Sequence, residues 1–401
     1  MNILFLSIGN LRDVRDKSLY TDFVREMASY GNNVCVVCAN EKRNGTETAL
    51  TTDAGVQVLR VRIGNITKCG LIEKGISTLL IESQFKKAIK KYFDGVRFDL
   101  VVYSTPPITF AGVIQYVKKR DGAASYLLLK DIFPQNAVDI GMMTKRGPKS
   151  VIYKMFRNKE KRLYRLSDHI GCMSPANVAY LLRHNPYVDP QIVHVNPNSM
   201  EVAEYTPDAD KKAAIYQRYN IPASATTFIY GGNLGRPQGI PFLIECLKAN
   251  ADREDRYFIV CGTGTEYPKL KAYVEQYRPR NVLLLNGLPR AEYSDFVKAF
   301  DVGLIFLDHR FTIPNFPSRL LSYMQARMPV LACTDPNTDI GQVITEGGFG
   351  WWCESNSVAD FTAKVEEAIA APREAMGDKG YAYLAEQYSS ARSYDILMKH
   401  L

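Results

Sequence analysis

The sequence has no apolar run near the roughly 20 residues a membrane-spanning helix needs, and strand-like stretches such as Val282–Leu285 end after a few residues. It is also poor in the side chains that metal and redox chemistry draw on. Its five histidines (His169, His184, His194, His309, His400) show no HExxH or comparable ligand spacing, so no metal is expected. Eight cysteines scattered over 401 residues make no disulfide framework. Cys35 and Cys38 have CxxC spacing, but they lie in NNVCVVCAN, an apolar strand-like run without a second pair, and are expected as buried small hydrophobes. The N-terminus, MNILFLSIGNLRDVRDK, lacks a basic lead and a small-residue cleavage site. It is expected as a strand rather than a signal peptide, with cytosolic synthesis as the consequence. With 46% hydrophobic and 23% charged residues the chain is globular rather than disordered, and its length accommodates two domains.

Positive charge is in excess and unevenly placed. The formal net charge is +8, yet residues through Met200 hold 29 Lys and Arg against 17 Asp and Glu, while the rest holds 21 against 25. The asymmetry points to an anionic partner for the first half: membrane, nucleic acid or a phosphorylated substrate. In Lys74–Asp94, the residues Ile76, Leu79, Leu80, Phe85, Ile89 and Phe93 recur at helical spacing, with Lys86, Lys87, Lys90 and Lys91 elsewhere on the wheel. Such a helix is able to rest on anionic lipid or to pack its apolar stripe on a sheet. Lys145–Arg165 interleaves basic residues with Tyr153, Phe156 and Tyr164, but no recognised nucleic-acid motif accompanies it, and nucleic acid is not expected.

Strand-like and helix-like stretches alternate along both halves. Asn2–Ser7, Asn33–Cys38, Val56–Ile63, Asp99–Tyr103, Ser125–Leu129, His169–Met173 and Ile192–Val195 are expected strands, with helices at Leu19–Tyr30 and Pro107–Lys119. After Asn196–Tyr205, suited to a linker, the pattern restarts, with strands at Thr227–Tyr230, Tyr257–Cys261, Val282–Leu285, Val302–Phe306 and Val330–Ala332. The expected helices there are Ile240–Lys248, Lys269–Tyr277, Tyr293–Phe300 and Ser318–Gln325, and Val358–Leu401 is expected to be mostly helical. The pattern predicts an α/β chain of two doubly wound Rossmann-like domains facing a central cleft, with ligands outside the carboxyl ends of the strands. The expected domains are residues 1–200, joined by the C-terminal helix at about 385–401, and residues 201–384.

Three features of the second half follow strand ends. Tyr230–Gly239, YGGNLGRPQG, offers backbone amides to an anion through its glycines and a charge through Arg236; it is neither GxGxxG nor a P-loop. Cys261–Gly264 is a second glycine turn, open to a simple turn role. Asn315–Met324, NFPSRLLSYM, places Ser318 at a helix start and Arg319 one residue in, where free N–H groups favour a diphosphate.

The ordered set GGNLGRPQG, VCGTG, LLNGLPRAEYSDFVKAFDVGLIFL and FPSRLLSYMQARMPVLA resembles the donor domain of family 4-type glycosyltransferases with the GT-B fold, in particular bacterial capsule and O-antigen sugar transferases. LKDIFPQNAV and KEKRLYRLSDHIGCMSP in the first half resemble that subgroup's Asp-x-x-Pro segment and Glu-containing helix. The resemblance implies transfer of a sugar from a nucleotide sugar, by preference UDP-linked, to a lipid-linked saccharide at the inner face of the plasma membrane, with retention and without a metal. No resident cofactor is implied. Gly232, Asn233 and Arg236 fall on the segment that grips the diphosphate, Ser318 and Arg319 on the donor-binding helix, Leu288 on the base contact, and Asp131 on the acceptor-side loop. Gly262 falls on the second glycine turn.

The chain departs from that pattern at several points. The family's E-x7-E glutamates fall on Pro314 and Ser322, so Ser322 would meet the ribose hydroxyls. Gln238 replaces a lysine and Lys130 a histidine. Two other classes fit parts of the sequence. A non-catalytic subunit of the same fold would explain the lost glutamates but not the retained arginines, and a nucleotide-sugar epimerase would need acid–base groups that are not evident.

Overall fold

The computed structural model of the chain describes residues 1–67, 69–205 and 207–401, with side chains described except at positions 71, 72, 290 and 291. They form two compact units, Met1–Glu201 with Ser389–Leu401, and Val202–Tyr388.

The first unit runs β1 (Asn2–Ser7), α1 (Leu19–Ser29), β2 (Asn33–Glu41), β3 (Ala49–Asp53), β4 (Val56–Ile63), α2 (Leu71–Tyr92), β5 (Leu100–Ser104), α3 (Ala111–Asp121), β6 (Ala124–Leu129), α4 (Gln135–Asp139), α5 (Ser150–Leu166), β7 (His169–Cys172), α6 (Pro175–His184) and β8 (Val193–Val195). Its sheet has the order β3-β4-β2-β1-β5-β6-β7-β8, parallel throughout except for β3, which pairs antiparallel with β4. β1, β5 and β6 are buried almost end to end, as strands covered on both faces must be. Strand order reverses across β1, so the loop after it and those after β5 and β6 share the carboxyl rim where ligands of such sheets bind.

Local chemistry sets the element ends. Ser18 caps α1 by accepting from the Thr21 N–H at 3.1 Å, and Gly31, at φ +76°, supplies the left-handed turn that ends it. Cys35 and Cys38 lie buried in β2, where burial pushes both thiols up to about 11 and keeps them protonated.

The second unit runs α7 (Ala209–Tyr219), β9 (Thr226–Asn233), α8 (Ile240–Ala249), β10 (Arg256–Thr263), α9 (Tyr267–Tyr277), β11 (Val282–Leu285), α10 (Arg290–Val297), β12 (Val302–Phe306), α11 (Arg319–Gln325), β13 (Val330–Thr334), α12 (Ile340–Glu346), β14 (Gly350–Glu354), α13 (Val358–Ala370) and α14 (Arg373–Gln387). Its sheet is all parallel with the order β11-β10-β9-β12-β13-β14. Order reverses between β9 and β12, which puts the glycine-rich turn after β9 at the switch point. Phe228, Phe258, Phe306 and Phe361 pack into one core beneath it. α15 (Ser390–Lys399) belongs to the first unit, where Tyr394 and Leu397 pack among the α1 side chains and Ser393 bonds to Asn196 at 2.6 Å.

Several elements differ from the sequence expectation. β3, β14 and helices α4, α6, α7 and α12 have no counterpart in the sequence expectation; β3 and β14 lie at sheet edges, and α4 and α12 have only five and seven residues. The helix expected from Pro107 starts at Ala111, behind the Pro106–Pro107 pair, which donates no backbone hydrogen bond. Asn196 to Ser199, expected as linker, are buried; Asn196 donates to the Tyr126 hydroxyl at 2.8 Å, so the loop is part of the first unit's core. The single apolar stripe expected for the basic helix is divided: Phe85 and Ile89 are fully buried, while Ile76, Leu79 and Leu80 face solvent.

Candidate functional site

In the second unit the turn after β9 is built for close backbone approach. The Gly231 N–H donates to the Tyr323 hydroxyl at 3.2 Å, and that hydroxyl is also within 3.1 Å of the Ile229 carbonyl. A Cβ at Gly231 would lie 1.6 Å from the Tyr293 hydroxyl, and Gly232 sits at φ +118°, open only to glycine at little cost. Beyond them, Gln238 Oε1 accepts from the Asn233 side chain at 3.0 Å and the Gly235 N–H at 3.1 Å, so the residue that replaces the family lysine braces the loop.

Arg319 lies beside this turn. Its guanidinium stacks 4.3 Å from the Tyr230 ring centroid, and its Nη2 would be 3.5 Å from a Cβ at Gly232. Tyr230, Tyr293 and Tyr323 surround it, and the arginine charge draws each phenol down against the burial that raises all three. Arg319 Nη1 is buried without a hydrogen-bond partner, and among the described residues no carboxylate pairs with the side chain. The buried Arg256 makes the contrast, with Asp255 at 2.8 Å and Glu366 at 2.5 Å. A desolvated guanidinium left without a counter-charge is placed to receive an anion.

The other expected residues divide into two groups. Arg236 is exposed and held only loosely, 4.0 Å from the buried Glu266. Gly232, Asn233, Ser318 and Ser322 are exposed. α11 has seven residues, and the Leu320 and Leu321 N–H groups already bond to Pro317 and Ser318 carbonyls at 3.2 Å, so the expected helix-end donors are partly used. Gly262 is buried, and a Cβ there would lie 1.9 Å from the Gly232 carbonyl oxygen; its place in the site is to let β10 press against the β9 turn. Leu288 is part-buried in the loop after β11, next to Gly287, whose own Cβ would approach Thr263 to 3.0 Å.

Sequence reasoning missed the tyrosines round Arg319 and two polar groups near α11. Asp335, buried after β13, accepts from the Asn337 and Thr338 N–H groups through Oδ1 while Oδ2 has no partner; burial pushes the acid up to about 6. Asn315 Nδ2 is likewise buried and unpartnered, and the Thr338 hydroxyl donates to the Asn315 carbonyl at 2.5 Å.

In the first unit Asp131 follows β6. The Thr105 hydroxyl donates to its carbonyl at 3.0 Å, and Asn136 Nδ2 lies 3.0 Å from both carboxylate oxygens. Burial pushes the acid up to about 6 against those hydrogen bonds. Lys130 donates to the Pro197 carbonyl at 2.9 Å, and burial pushes its amine down to about 7. Of the tyrosines at the strand ends, Tyr103 is fully buried against Ser167 and serves packing. The Tyr20 hydroxyl accepts from Ser104 at 3.1 Å and feels the Asp131 charge. Glu160 on α5 is buried, bonded to the Tyr164 hydroxyl at 2.7 Å and paired with Arg157. Among the described residues no three His, Cys, Asp or Glu side chains gather as a metal site, and no helix is long and apolar enough to cross a membrane.

Residues 211–383 match the family described as glycosyl transferases group 1. The chain is 24% identical over 321 residues to the probable glycosyltransferase WbjE of Pseudomonas aeruginosa, covering 80% of this chain and 78% of that protein. It is 21% identical over 286 residues to the putative colanic acid biosynthesis glycosyl transferase WcaI of Escherichia coli, covering 71% and 69%. The solved structure of HepE from Anabaena in complex with UDP superposes with a TM-score of 0.69 at 13% identity, covering 100% of this chain and 99% of that one.

Proposed function

We propose, from the match of residues 211–383 to the group 1 glycosyl transferases and the likeness to two bacterial glycosyltransferases, that the chain is a GT-B transferase that moves a sugar from a nucleoside diphosphate, UDP by preference, to a lipid-linked saccharide in bacterial surface polysaccharide synthesis. The observation that carries the reading is Arg319, desolvated beside the Gly231–Gly232 turn with no counter-charge of its own. The UDP of HepE and the colanic acid role in the name of WcaI support the finer choices of base and product class.

The second unit takes the donor. As the anomeric carbon–oxygen bond breaks, negative charge grows on the leaving diphosphate. Arg319 stabilises it from a site already desolvated, while Arg236 closes from solvent and the glycine amides complete the cradle. Leu288 lies against the base, and Ser318 and Ser322 reach the phosphate and ribose. Asn315 Nδ2 and Asp335 Oδ2, each lacking a partner, are suited to sugar hydroxyls in place of the glutamate that Pro314 has displaced. The first unit takes the acceptor, with Asp131 and Lys130 orienting hydroxyls. The acceptor oxygen bonds to the anomeric carbon from the face the diphosphate leaves, and its proton passes to the departing phosphate, giving retention without a protein base. The basic first half then works at the inner face of the plasma membrane as a peripheral protein, and its binding to anionic vesicles should weaken as salt rises.

The test is sugar transfer by Arg236→Ala and Arg319→Ala enzymes of unchanged far-UV dichroism. Loss of turnover in both supports the assignment, and near wild-type kcat in both overturns it.

A further inference from the structure

A cavity of about 410 Å³ opens on the helical face of the first unit, lined by α2, α5 and the loop that leads into α3. Lys86 and Lys87 enter it from α2, and Lys159 and Arg162 from α5. None of the four meets a carboxylate within ion-pair distance among the described residues. Arg162 donates to Gln115 at 2.8 Å, and Lys86 lies 5.7 Å from the Tyr116 ring centroid. The acid in the lining, Glu82, already accepts from the Gly112 N–H at 3.0 Å. Thr109 also lines the cavity; it is 5% exposed, and its hydroxyl is buried without a hydrogen-bond partner. Four cations round an unsatisfied hydroxyl form a receptor for a compact dianion or trianion.

The surroundings of the cavity are apolar. Leu79 lines the cavity, and Ile76 and Leu80 extend the exposed apolar surface from it along α2; Val151, Ile152 and Met155 do the same on α5. Both helices link parallel strands and so run against them. In each helix these apolar residues precede the basic residues that line the cavity, so both apolar patches lie on the side of the strands' carboxyl ends. Thr109 belongs to the loop whose Thr105 holds Asp131, and four residues span at most about 14 Å.

We propose that this cavity binds the phosphate or diphosphate group of an amphiphile whose hydrocarbon chain lies over the apolar residues of α2 and α5. That the amphiphile is the glycosyl acceptor rests on the transferase reading; that the cavity holds a lipid phosphate does not.

The test uses the full chain and three probes by calorimetry, in excess UDP to fill the donor site. Farnesyl diphosphate carries both anion and chain, inorganic pyrophosphate the anion alone, and farnesol the chain alone. Farnesyl diphosphate should bind at least tenfold tighter than either of the others. Thr109→Val, which leaves the charge alone, and Lys159→Gln with Arg162→Gln should each weaken it severalfold or more. Arg319→Ala should leave it unchanged, and UDP binding should survive the cavity variants. Equal affinity for pyrophosphate would overturn the lipid assignment, and a Thr109→Val enzyme that binds like wild type would reduce the cavity to a basic surface. If wild type fails to bind UDP yet binds farnesyl diphosphate with this pattern, the donor reading falls while the cavity stands.

Discussion

The two units carry candidate sites built on opposite principles. In the second, the chain removes side chains and leaves one cation without a counter-charge: Gly231 and Gly232 bring backbone close, and Arg319 lies stacked on Tyr230. In the first, it buries a carboxylate and an amine, pushing Asp131 up to about 6 and Lys130 down to about 7. The first construction suits a ligand that arrives highly charged. The second suits neutral hydroxyls, to which a group close to its own titration point both donates and accepts. A donor diphosphate and a saccharide acceptor differ in the same way.

The largest expected effect falls on the cation. Arg319→Ala should lower kcat by about 10² to 10³, the loss seen when one preorganised donor to developing charge is removed. A smaller loss would mean that the turn amides and Arg236 carry the diphosphate by themselves.

Asp131→Asn should lower kcat about tenfold to a hundredfold, as for one charged hydrogen bond, with nucleotide affinity unchanged. The folded acid lies at about 6 against an ordinary 3.8, so its contribution to stability is full below pH 3.8 and is lost as pH rises through about 6. Asp131→Asn should therefore melt above wild type at pH 8, with the gap closing towards pH 4. Wild-type turnover, if it uses the carboxylate, should rise through the same window.

Gly262→Ala tests the backbone side of the contrast. Its Cβ would be driven onto the Gly232 carbonyl oxygen, and overpacking of that kind costs about 1 to 3 kcal/mol, read as a lower midpoint in urea together with weaker nucleotide binding. Ser322→Ala should raise donor KM about threefold at most, since Ser322 is exposed and offers one neutral hydrogen bond.

The second site was legible in the sequence because its constraints are local. Gly231, Gly232 and Arg236 fall within one strand-to-helix turn, and a backbone that packs closely against its neighbours is marked in the sequence by glycine. The tyrosines round Arg319 were not legible, because Tyr230, Tyr293 and Tyr323 come from three elements and a buried phenol has the period of any core residue. Asp131 could be picked out, but its perturbation could not, since it comes from burial among residues distant in sequence. Thr105 and Pro197, which tie down Asp131 and Lys130, lie more than twenty residues away. The division of the α2 stripe was hidden for a related reason: helical spacing shows an apolar face but not how far the sheet beneath it extends.

The donor site is tested most directly by a thermal-shift comparison of UDP, dTDP, GDP, CDP and ADP on wild type and on Arg319→Ala. Nucleotide at a hundred times its Kd adds about 2.7 kcal/mol of stability, which in a unit of this size raises the midpoint by roughly 5 to 10 °C. UDP should give such a rise, and Arg319→Ala should abolish it. No rise with any nucleotide, or an equal rise in the variant, would contradict the claim that this unpaired arginine is the heart of the donor site.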